Sequence, residues 1–404
     1  MDTEDLTVDE RYKCLRKVRK QYRAADRATK SRLLDQVCFL TKLCRKYVIT
    51  CLNKPTIERH RRNRERSRTY GADVEHVVAV VAHTLDWIGA ERLQPGLVTT
   101  AQHLARFGHL TLSEELLTKL RAVSVSTVRR IMRRIGRPRD APPQVRRGRR
   151  PDSVVQALVP VGVIPWDEPA PGHFEADLVL HNVANLEGAY VSSLQCIDVL
   201  TGWSERFAVL GHGFDEMWQA IQAFKTRCPI RVREIHTDNG SEFMNQVFAS
   251  QFGPQAFDAQ LTRGRLGCKN DNRFVEQKNS SLIRAYLGNL YLYTPAHRAL
   301  LDQLYADMGL YYNLFQPVVR QTSRRAEMGA NGVVRIVRAQ DRAATPLERL
   351  LRAKPPLASA TREQLVALYH DTDPLELKRS IHRQLTTLTR LAQLDAQRDA
   401  VLFR

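Results

Sequence analysis

Three acidic residues stand in sequence contexts that could bring their carboxylates together in a folded core. Asp177 lies within the stretch HFEADLVLH, Asp238 begins DNGSEF, and Glu276 lies within NDNRFVEQKNSSLIRAYLGNL. Magnesium prefers carboxylate and water oxygens, and two such ions about 4 Å apart can neutralise charge during phosphodiester transfer. The three residues are therefore candidates for a metal site that is also a catalytic site.

Each of these acids also has an ordinary structural explanation when it is taken alone. Asp177 could lie on the solvated face of a strand, Asp238 could make an Asx-turn, and Glu276 could be an exposed helical residue. Glu175 shares the predicted strand face of Asp177, and it or Asp198 could support the metal ligands. The remaining acids that compete for these roles are Glu242 and Asp271.

The hydrophobic pattern from about residue 168 predicts the elements that would position these acids. HFEADLVLH alternates, which places Glu175, Asp177, Val179 and His181 on one face of a strand. Two further strands, a helix beginning near Phe214 and a short strand ending at DNG follow, in the order β-β-β-α-β. A long helix from about 270 to 290 comes next. Its predicted inner stripe is Val275, Leu282, Tyr286 and Asn289 or Leu290.

Positive charge is concentrated in the first 150 residues. They hold 34 Lys and Arg against 16 Asp and Glu, a balance of +18, whereas the rest of the chain has a balance of +1 within the total of +19. Such an excess favours a polyanionic partner, because each cation set on a phosphate releases a condensed counterion. No stretch approaches the roughly 18 apolar residues of a membrane helix, so DNA is preferred to a membrane surface.

Two helical segments in this basic half are candidate helix-turn-helix modules. The first has helices between Arg27 and Asn53, with Arg45 and Lys46 expected to face DNA. The second spans 73–136 and ends in SVSTVRRIMRRIG, where Ser124 or Ser126 can cap the helix and Gly136 can end it. A generic helical hairpin and a solvated helix face remain the respective alternatives. The second module's predicted DNA contacts are Arg129, Arg130, Arg133 and Arg134.

Arginine-rich segments at 59–68 and 137–151 show neither helical nor strand periodicity and are predicted to be extended linkers along phosphates. Their named DNA contacts are Arg61, Arg62, Arg146 and Arg147. The seven cysteines form no CxxC pair, which excludes the usual zinc spacing and indicates reduced thiols. With an acidic N-terminus that lacks an apolar signal region, the chain is expected in the cytoplasm.

The segments HFEADLVLH, DVLTGW, HTDNGSEF and KNDNRFVEQKN together resemble the catalytic core of bacterial insertion-sequence transposases, within the retroviral-integrase superfamily. The resemblance implies a ribonuclease H-like core in which Asp177, Asp238 and Glu276 bind two Mg²⁺ or Mn²⁺ ions. It also implies DNA contacts from Lys269, Lys278 and Asn279. The 37 residues between Asp238 and Glu276 exceed the retroviral spacing slightly, and the retroviral zinc module is missing.

These observations predict a multidomain chain of α and α/β class. It has helix-turn-helix modules, a ribonuclease H-like core with a mixed five-stranded sheet, and a mainly helical C-terminal region that could hold a small β element. The predicted boundaries are 1–58 and 73–136 for the modules, 59–72 and 137–167 for the linkers, 168–320 for the core, and 321–404 for the rest.

The function that the resemblance implies is cleavage at transposon ends and strand transfer into double-stranded target DNA, by a homo-oligomer assembled on the DNA. A nuclease of the same fold that cuts without joining is one alternative. A non-catalytic DNA-binding regulator derived from a transposase is the other. The C-terminal region could either cap the core or serve in assembly.

Overall fold

The computed structural model describes two units, residues 1–69 and residues 70–404, each with its own contacts. The residues it describes are 6–58, 70–136, 168–181, 190–211, 213–237, 252, 257–264, 273–328 and 334–402. Asp238, Glu242 and Asp271 lie outside them, as do the predicted DNA contacts Arg61, Arg62, Arg146, Arg147 and Lys269.

The first unit is a group of three helices around a small apolar core. They are α1 (Val8–Ala24), α2 (Arg27–Thr41) and α3 (Arg45–Asn53). Thr7 and Asp26 accept backbone N–H groups at the starts of α1 and α2, as N-cap residues do. The two helices predicted between Arg27 and Asn53 are present, and α1 is an additional helix. Their shared core consists of Leu15, Leu34, Val37, Val48 and Leu52 with smaller contributions around it.

The second unit begins with five helices. They are α4 (Ala72–Thr84), α5 (Ala90–Leu93), α6 (Leu97–Arg106), α7 (Glu114–Ala122) and α8 (Val125–Ile135). Helix α8 begins at the N-cap Ser124 and ends at Gly136, whose positive φ of 77° is a conformation that glycine adopts without strain. The apolar spacing predicts an inner stripe of Val128, Ile131 and Ile135; Val128 and Ile131 are buried on one side of α8, but Ile135, at the end of the helix, is exposed.

A five-stranded mixed sheet forms the centre of the second unit. Its strands are β1 (His173–Leu180), β2 (Val191–Asp198), β3 (Ser204–Leu210), β4 (Glu234–Thr237) and β5 (Gln260–Arg263), in the order β3-β2-β1-β4-β5. The first three strands are antiparallel, and β4 and β5 run parallel to β1. Helix α9 (Phe214–Arg227) connects β3 to β4. This order and orientation confirm the predicted ribonuclease H-like fold with its β-β-β-α-β sequence.

Alternation along β1 divides its side chains between two differently composed faces of the sheet. Phe174 and Ala176 pack in an apolar cluster with α9, and the rings of Phe174 and Phe224 meet edge to face at 4.9 Å. Glu175 and Asp177 occupy the opposite face, where Val179 packs against Leu282 and Ile283. Because strand side chains alternate with a period of two, the sequence pattern assigns both faces correctly.

The segment after β5 departs from the predicted long α-helix. It comprises α10 (Arg273–Lys278), a π-helical segment π1 (Asn279–Arg284) and α11 (Ala285–Leu287). The prediction placed Leu282 and Tyr286 on the inner stripe. Because a π turn holds more residues than an α turn, Ile283 and Leu287 are buried as well. The helical segment ends before Asn289 and Leu290.

Two helical elements complete the cover of this second face. They are α12 (Pro295–Leu310) and the π-helical segment π2 (Tyr311–Phe315). A two-stranded hairpin follows, formed by β6 (Gln321–Met328) and β7 (Val334–Gln340), and it provides the predicted β element. The last helices are α13 (Pro346–Arg352), α14 (Ser359–Asp371) and α15 (Pro374–Leu402).

Helix α15 and the first helices of the second unit are joined through the loop after α4. The Lys378 ammonium group is 2.8 Å from the Asp86 carboxylate and also donates to the backbone carbonyl of His83. Asp86 accepts a further hydrogen bond from the hydroxyl of Tyr286 at 3.0 Å. Residues 70–136, the core and the C-terminal helices therefore form one compact unit. Of the helices that the structure describes, none is both long enough and apolar enough to cross a membrane.

Candidate active site

Asp177 lies at the centre of the candidate site, on the polar face of β1. Its carboxylate is half-buried, and its two oxygens accept different hydrogen bonds. Oδ1 accepts the backbone N–H of Leu178 at 2.9 Å, and Oδ2 accepts Nδ2 of Asn279 at 2.5 Å. Because both oxygens accept hydrogen bonds, protein contacts define the orientation of this carboxylate.

The parallel pairing of β1 with β4 relates the first acid to the second. Ala176 pairs with Thr237, which is the last described residue of β4. The residue after Ala176 is Asp177, and the residue after Thr237 is Asp238. Both strands therefore lead, in register and in the same direction, to one of the predicted acids, although Asp238 itself lies outside the described residues.

Glu276 is exposed on α10, a helix that two contacts hold against β1. The Glu175 carboxylate accepts the backbone N–H groups of Phe274 and Val275 at 2.7 and 2.9 Å. Asn279, three residues after Glu276, makes the contact to Asp177 described above. Asn279 is the first residue of π1, so its contact holds the end of α10, three residues beyond Glu276, against β1.

Glu175, one alternative for a supporting acid, is completely buried, and its position suits a structural task. A carboxylate that accepts N–H groups in the first turn of a helix satisfies donors that have no partner within that helix. Glu175 thereby anchors α10 to β1. Its alternation with Asp177 in the sequence predicted the shared face but not this contact.

Asp198, the other alternative, is buried at the turn between β2 and β3. It accepts the N–H groups of Gly172 and Thr201 and the hydroxyl of Thr201, each at 2.7 Å. Burial raises the pKa of this carboxyl, although these hydrogen bonds act in the opposite direction. The contacts give Asp198 a role in shaping the turn.

Two residues that the sequence did not single out lie beside Asp177 on the polar face. Gln195 on β2 is paired with Asp177, and Arg206 on β3 is paired with Gln195. Both side chains are completely buried. Alternating polar residues in SSLQCID and SERFAVL were the available signal, but the same pattern is typical of a solvated face. Only the helices that cover this face distinguish the two cases.

Lys278, a predicted DNA contact, is half-buried near the cationic side chains of Arg92 and Arg206. Burial, together with repulsion by the two arginines, lowers the pKa of Lys278 to about 7. Asn279, the neighbouring predicted contact, is only 2% exposed because its amide faces Asp177. A DNA contact from either side chain stays a prediction.

The predicted DNA contacts on α8 and α3 that the structure describes differ in their surroundings. Arg129 and Arg134 form ion pairs with Glu91 and Glu75, and Arg130 and Arg133 are exposed. On α3, Arg45 pairs with Asp35 and also donates to Ser31, while Lys46 is exposed. These placements leave Arg130, Arg133 and Lys46 exposed and outside the ion pairs named above.

The described residues alone contain no group of three His, Cys, Asp or Glu side chains arranged to hold a metal ion. They do bring two of the three predicted acids onto neighbouring elements, Asp177 on β1 and Glu276 on α10. The third, Asp238, follows the described end of β4. The donor set of carboxylates is of the kind that Mg²⁺ prefers.

Two solved structures are among those to which the chain is similar. A chain in the cryoEM structure of the simian T-cell lymphotropic virus intasome in complex with PP2A regulatory subunit B56 gamma matches at 16% identity, with a TM-score of 0.25, over 46% of this chain and 60% of that one. The HTLV-2 integrase catalytic core domain in complex with magnesium matches at 16% identity, with a TM-score of 0.27, over 37% of this chain and 91% of that one. The fold assignment itself rests on the strand order and orientation.

No family model matches the sequence. A curated protein from Sinorhizobium fredii, the uncharacterized protein y4rM, is 31% identical over 316 residues, which cover 78% of this chain and 89% of that protein. Identity at this level over most of both chains indicates common descent and a shared fold. The chain belongs to the same family as protein y4rM of Sinorhizobium fredii.

Proposed function

We propose that the chain is a DDE-type DNA transposase that cuts transposon ends and joins the freed 3′-hydroxyl to target DNA. The observation that carries the proposal is the pairing of Ala176 with Thr237, because each is followed in the chain by a predicted catalytic acid. The anchoring of α10 to β1 by Glu175 and Asn279 supports it, since that helix carries Glu276.

The proposal assigns Asp177, Asp238 and Glu276 as the ligands of two Mg²⁺ or Mn²⁺ ions. The described part of the site fits such ions, because Asp177 accepts hydrogen bonds at both oxygens, as an ionised carboxylate does. When bound, the ions would neutralise charge on the attacking and leaving oxygens of the phosphodiester. The protein's own residues supply positioning, with Asn279 and the Leu178 N–H fixing Asp177 and Glu175 fixing the helix of Glu276.

The positive charge of the N-terminal half supports double-stranded DNA as the partner, at transposon ends and at the target. Exposed cations on α3 and α8 would contact phosphates. The thiols of Cys196 and Cys228 are buried, and the proposal gives them no part in the reaction. An assembly of several copies on the DNA is part of the proposal, because two ends must be joined to one target.

The test is an assay of end cleavage and strand transfer with Asp177→Asn, Asp238→Asn and Glu276→Gln. The element's ends, found as inverted repeats flanking the gene, serve as substrate. We expect each variant to lose at least about a thousandfold in both steps, since a neutral amide cannot replace a carboxylate ligand, while DNA binding is retained. Asp215→Asn, an exposed acid on α9, is the matched control and should keep full activity.

The same assay separates the alternatives. Cleavage by the wild-type protein without any joined product would indicate a nuclease of the same fold. DNA binding with neither cleavage nor joining, in Mg²⁺ or Mn²⁺, would indicate a regulator. Full joining by any of the three acid variants would contradict the assignment of that residue.

A further inference from the structure

Three polar residues lie side by side across the first three strands, and we call them the polar row: Asp177 on β1, Gln195 on β2 and Arg206 on β3. The register pairs Asp177 with Gln195 and Gln195 with Arg206. Residues directly opposite each other in antiparallel strands lie on the same face, with Cβ atoms about 5 Å apart. The row therefore leads from the candidate catalytic carboxylate into the protein interior.

The two inner members of the polar row are buried beyond the reach of bulk solvent. Gln195 and Arg206 are both 0% exposed. Among the described residues, neither amide atom of Gln195 has a hydrogen-bond partner, and the same holds for Nε and Nη1 of Arg206. Arg206 is held at its far side, where Nη2 donates to Ser204 at 3.0 Å and the guanidinium lies over the ring of Tyr312.

Buried polar groups of this kind are costly unless they are paired, and a charged group costs more than a neutral one. The chemistry along the row supplies the pairing. A carboxylate accepts hydrogen bonds and a guanidinium donates them, whereas a glutamine amide does both. Gln195 stands between an acceptor on one side and a donor on the other.

We propose that these buried groups, which have no partner among the described residues of this structure, pair with one another in the protein in solution: Gln195 would act as a positioning residue that donates from Nε2 to the Asp177 carboxylate and accepts from Arg206 at Oε1. Arg206 fixes the orientation of the amide, and the amide in turn fixes the carboxylate. With Asn279 and the Leu178 N–H, Asp177 then receives hydrogen bonds from three directions. The inference rests on the proposed function only in treating Asp177 as a metal ligand.

The bridge would have a consequence for metal binding. A carboxylate that is already held in place loses little freedom when it binds a cation, and removal of such supporting partners typically weakens metal affinity about 10- to 100-fold. The buried charge of Arg206 also compensates the negative charge of the carboxylate through the amide. The inner residues of the row would thus set how readily the site takes up its ion.

A crystal structure of the metal-free full-length protein tests the bridge directly. We expect one end of the Gln195 amide within hydrogen-bond distance of the Asp177 carboxylate and the other within that distance of Arg206. Because a carboxylate oxygen only accepts, the end beside it must be Nε2. A Gln195 amide bonded to Arg206 or to buried water, but not to Asp177, would overturn the proposal whether or not the protein is a transposase.

Metal affinity gives a second readout that does not depend on catalysis. Gln195→Met keeps the size of the side chain but removes both polar ends, so we expect the Mn²⁺ affinity measured by electron paramagnetic resonance to fall about tenfold. The thermal midpoint of the metal-free variant should fall, because Met leaves the buried Arg206 guanidinium without the acceptor that the amide would supply. Gln384→Met, on the remote helix α15, is the matched control and should leave Mn²⁺ affinity unchanged.

Arg206 is tested by a pair of substitutions. Arg206→Met should weaken Mn²⁺ binding as Gln195→Met does, and Arg206→Lys should restore most of it because a donor and a charge return. A Gln195→Met affinity within twofold of the wild type would overturn the proposal. Wild-type protein that shows the crystallographic bridge but binds no Mn²⁺ would instead contradict the proposed function and leave the bridge standing.

Discussion

The two faces of the central sheet are both buried, but they are built from different chemistry. The face toward α9 is apolar, with Phe174, Ala176 and Phe224 at its centre. The face toward α10 and α12 buries Glu175, Gln195 and Arg206 beside its apolar residues. Burial of apolar area stabilises a fold at little cost, whereas buried polar groups must be paired one by one. The second face therefore indicates a requirement other than stability, and the candidate active site lies on it.

The largest effect that would sharpen this contrast is expected on the apolar face. Phe224→Ala removes a completely buried ring that contacts Phe174, so we expect a loss of about 3–5 kcal/mol in the free energy of unfolding. Mn²⁺ affinity, measured where the variant is folded, should not change. A specific loss of metal binding at unchanged stability would break the assignment of separate roles to the two faces.

On the polar face, stability should depend on pH through His181. This buried ring contacts the hydroxyl of Ser193 at 2.6 Å, and burial lowers its pKa to about 4. Above pH 6.5 the ring is neutral in both states, so it contributes no pH dependence. As the pH falls from 6.5 toward 4, the His181 ring binds a proton in the unfolded chain but not in the folded protein. The free energy of unfolding should therefore decrease by about 3 kcal/mol.

The check is urea unfolding of the wild type and of His181→Gln across this pH range. The variant should be less stable at pH 7, because the contact to Ser193 is altered, but its stability should decrease less on acidification. Parallel curves for the two proteins would show that His181 is not the group responsible.

Substitution of Glu175 should lower the free energy of unfolding by less, and it should also affect the helix that carries Glu276. Glu175→Gln keeps the shape of the side chain but weakens its hold on the N–H groups of Phe274 and Val275, which should cost about 1–3 kcal/mol. Glu175→Gln should also speed amide hydrogen exchange more in α10, the helix that carries Glu276, than elsewhere in the second unit. Uniform exchange throughout the sheet would indicate general destabilisation instead.

The smallest effect is expected at the partly exposed start of β1, where the side chains of His173 and Glu234 are 2.7 Å apart. The hydrogen bond to Glu234 raises the pKa of His173. Burial alone would raise the pKa of Glu234, but hydrogen bonds from His173 and Thr262 outweigh it and lower that pKa. The pair should stabilise most between about pH 4.5 and 6.5, losing its effect as His173 deprotonates above that range or Glu234 protonates below it.

His173→Gln should therefore remove at most about 1 kcal/mol near pH 5.5 and less at pH 8, as measured by urea unfolding. An equal loss at both pH values would mean that the packing of the ring, and not its charge, is what matters.

The sequence predicted the elements that have a clear period and failed where burial depends on distant segments. Alternation in HFEADLVLH placed Asp177 on the correct face of β1, and the order of strands followed from the same signal. The π-helical segment was missed, because one extra residue per turn leaves no mark in a short apolar stripe. Gln195 and Arg206 were missed because a covered polar face and a solvated one have the same local pattern.

The contact between Lys378 and Asp86 also bears on the timing of synthesis. The loop after α4 leaves the ribosome early, whereas its partner on α15 is added 292 residues later. At about 5–20 residues per second, this interval is roughly 15 to 60 s. Until α15 has emerged, Asp86 lacks its cation and α12 lacks one of its packing partners. A nascent chain would then complete this unit, and with it any activity, only after α15 has been synthesised.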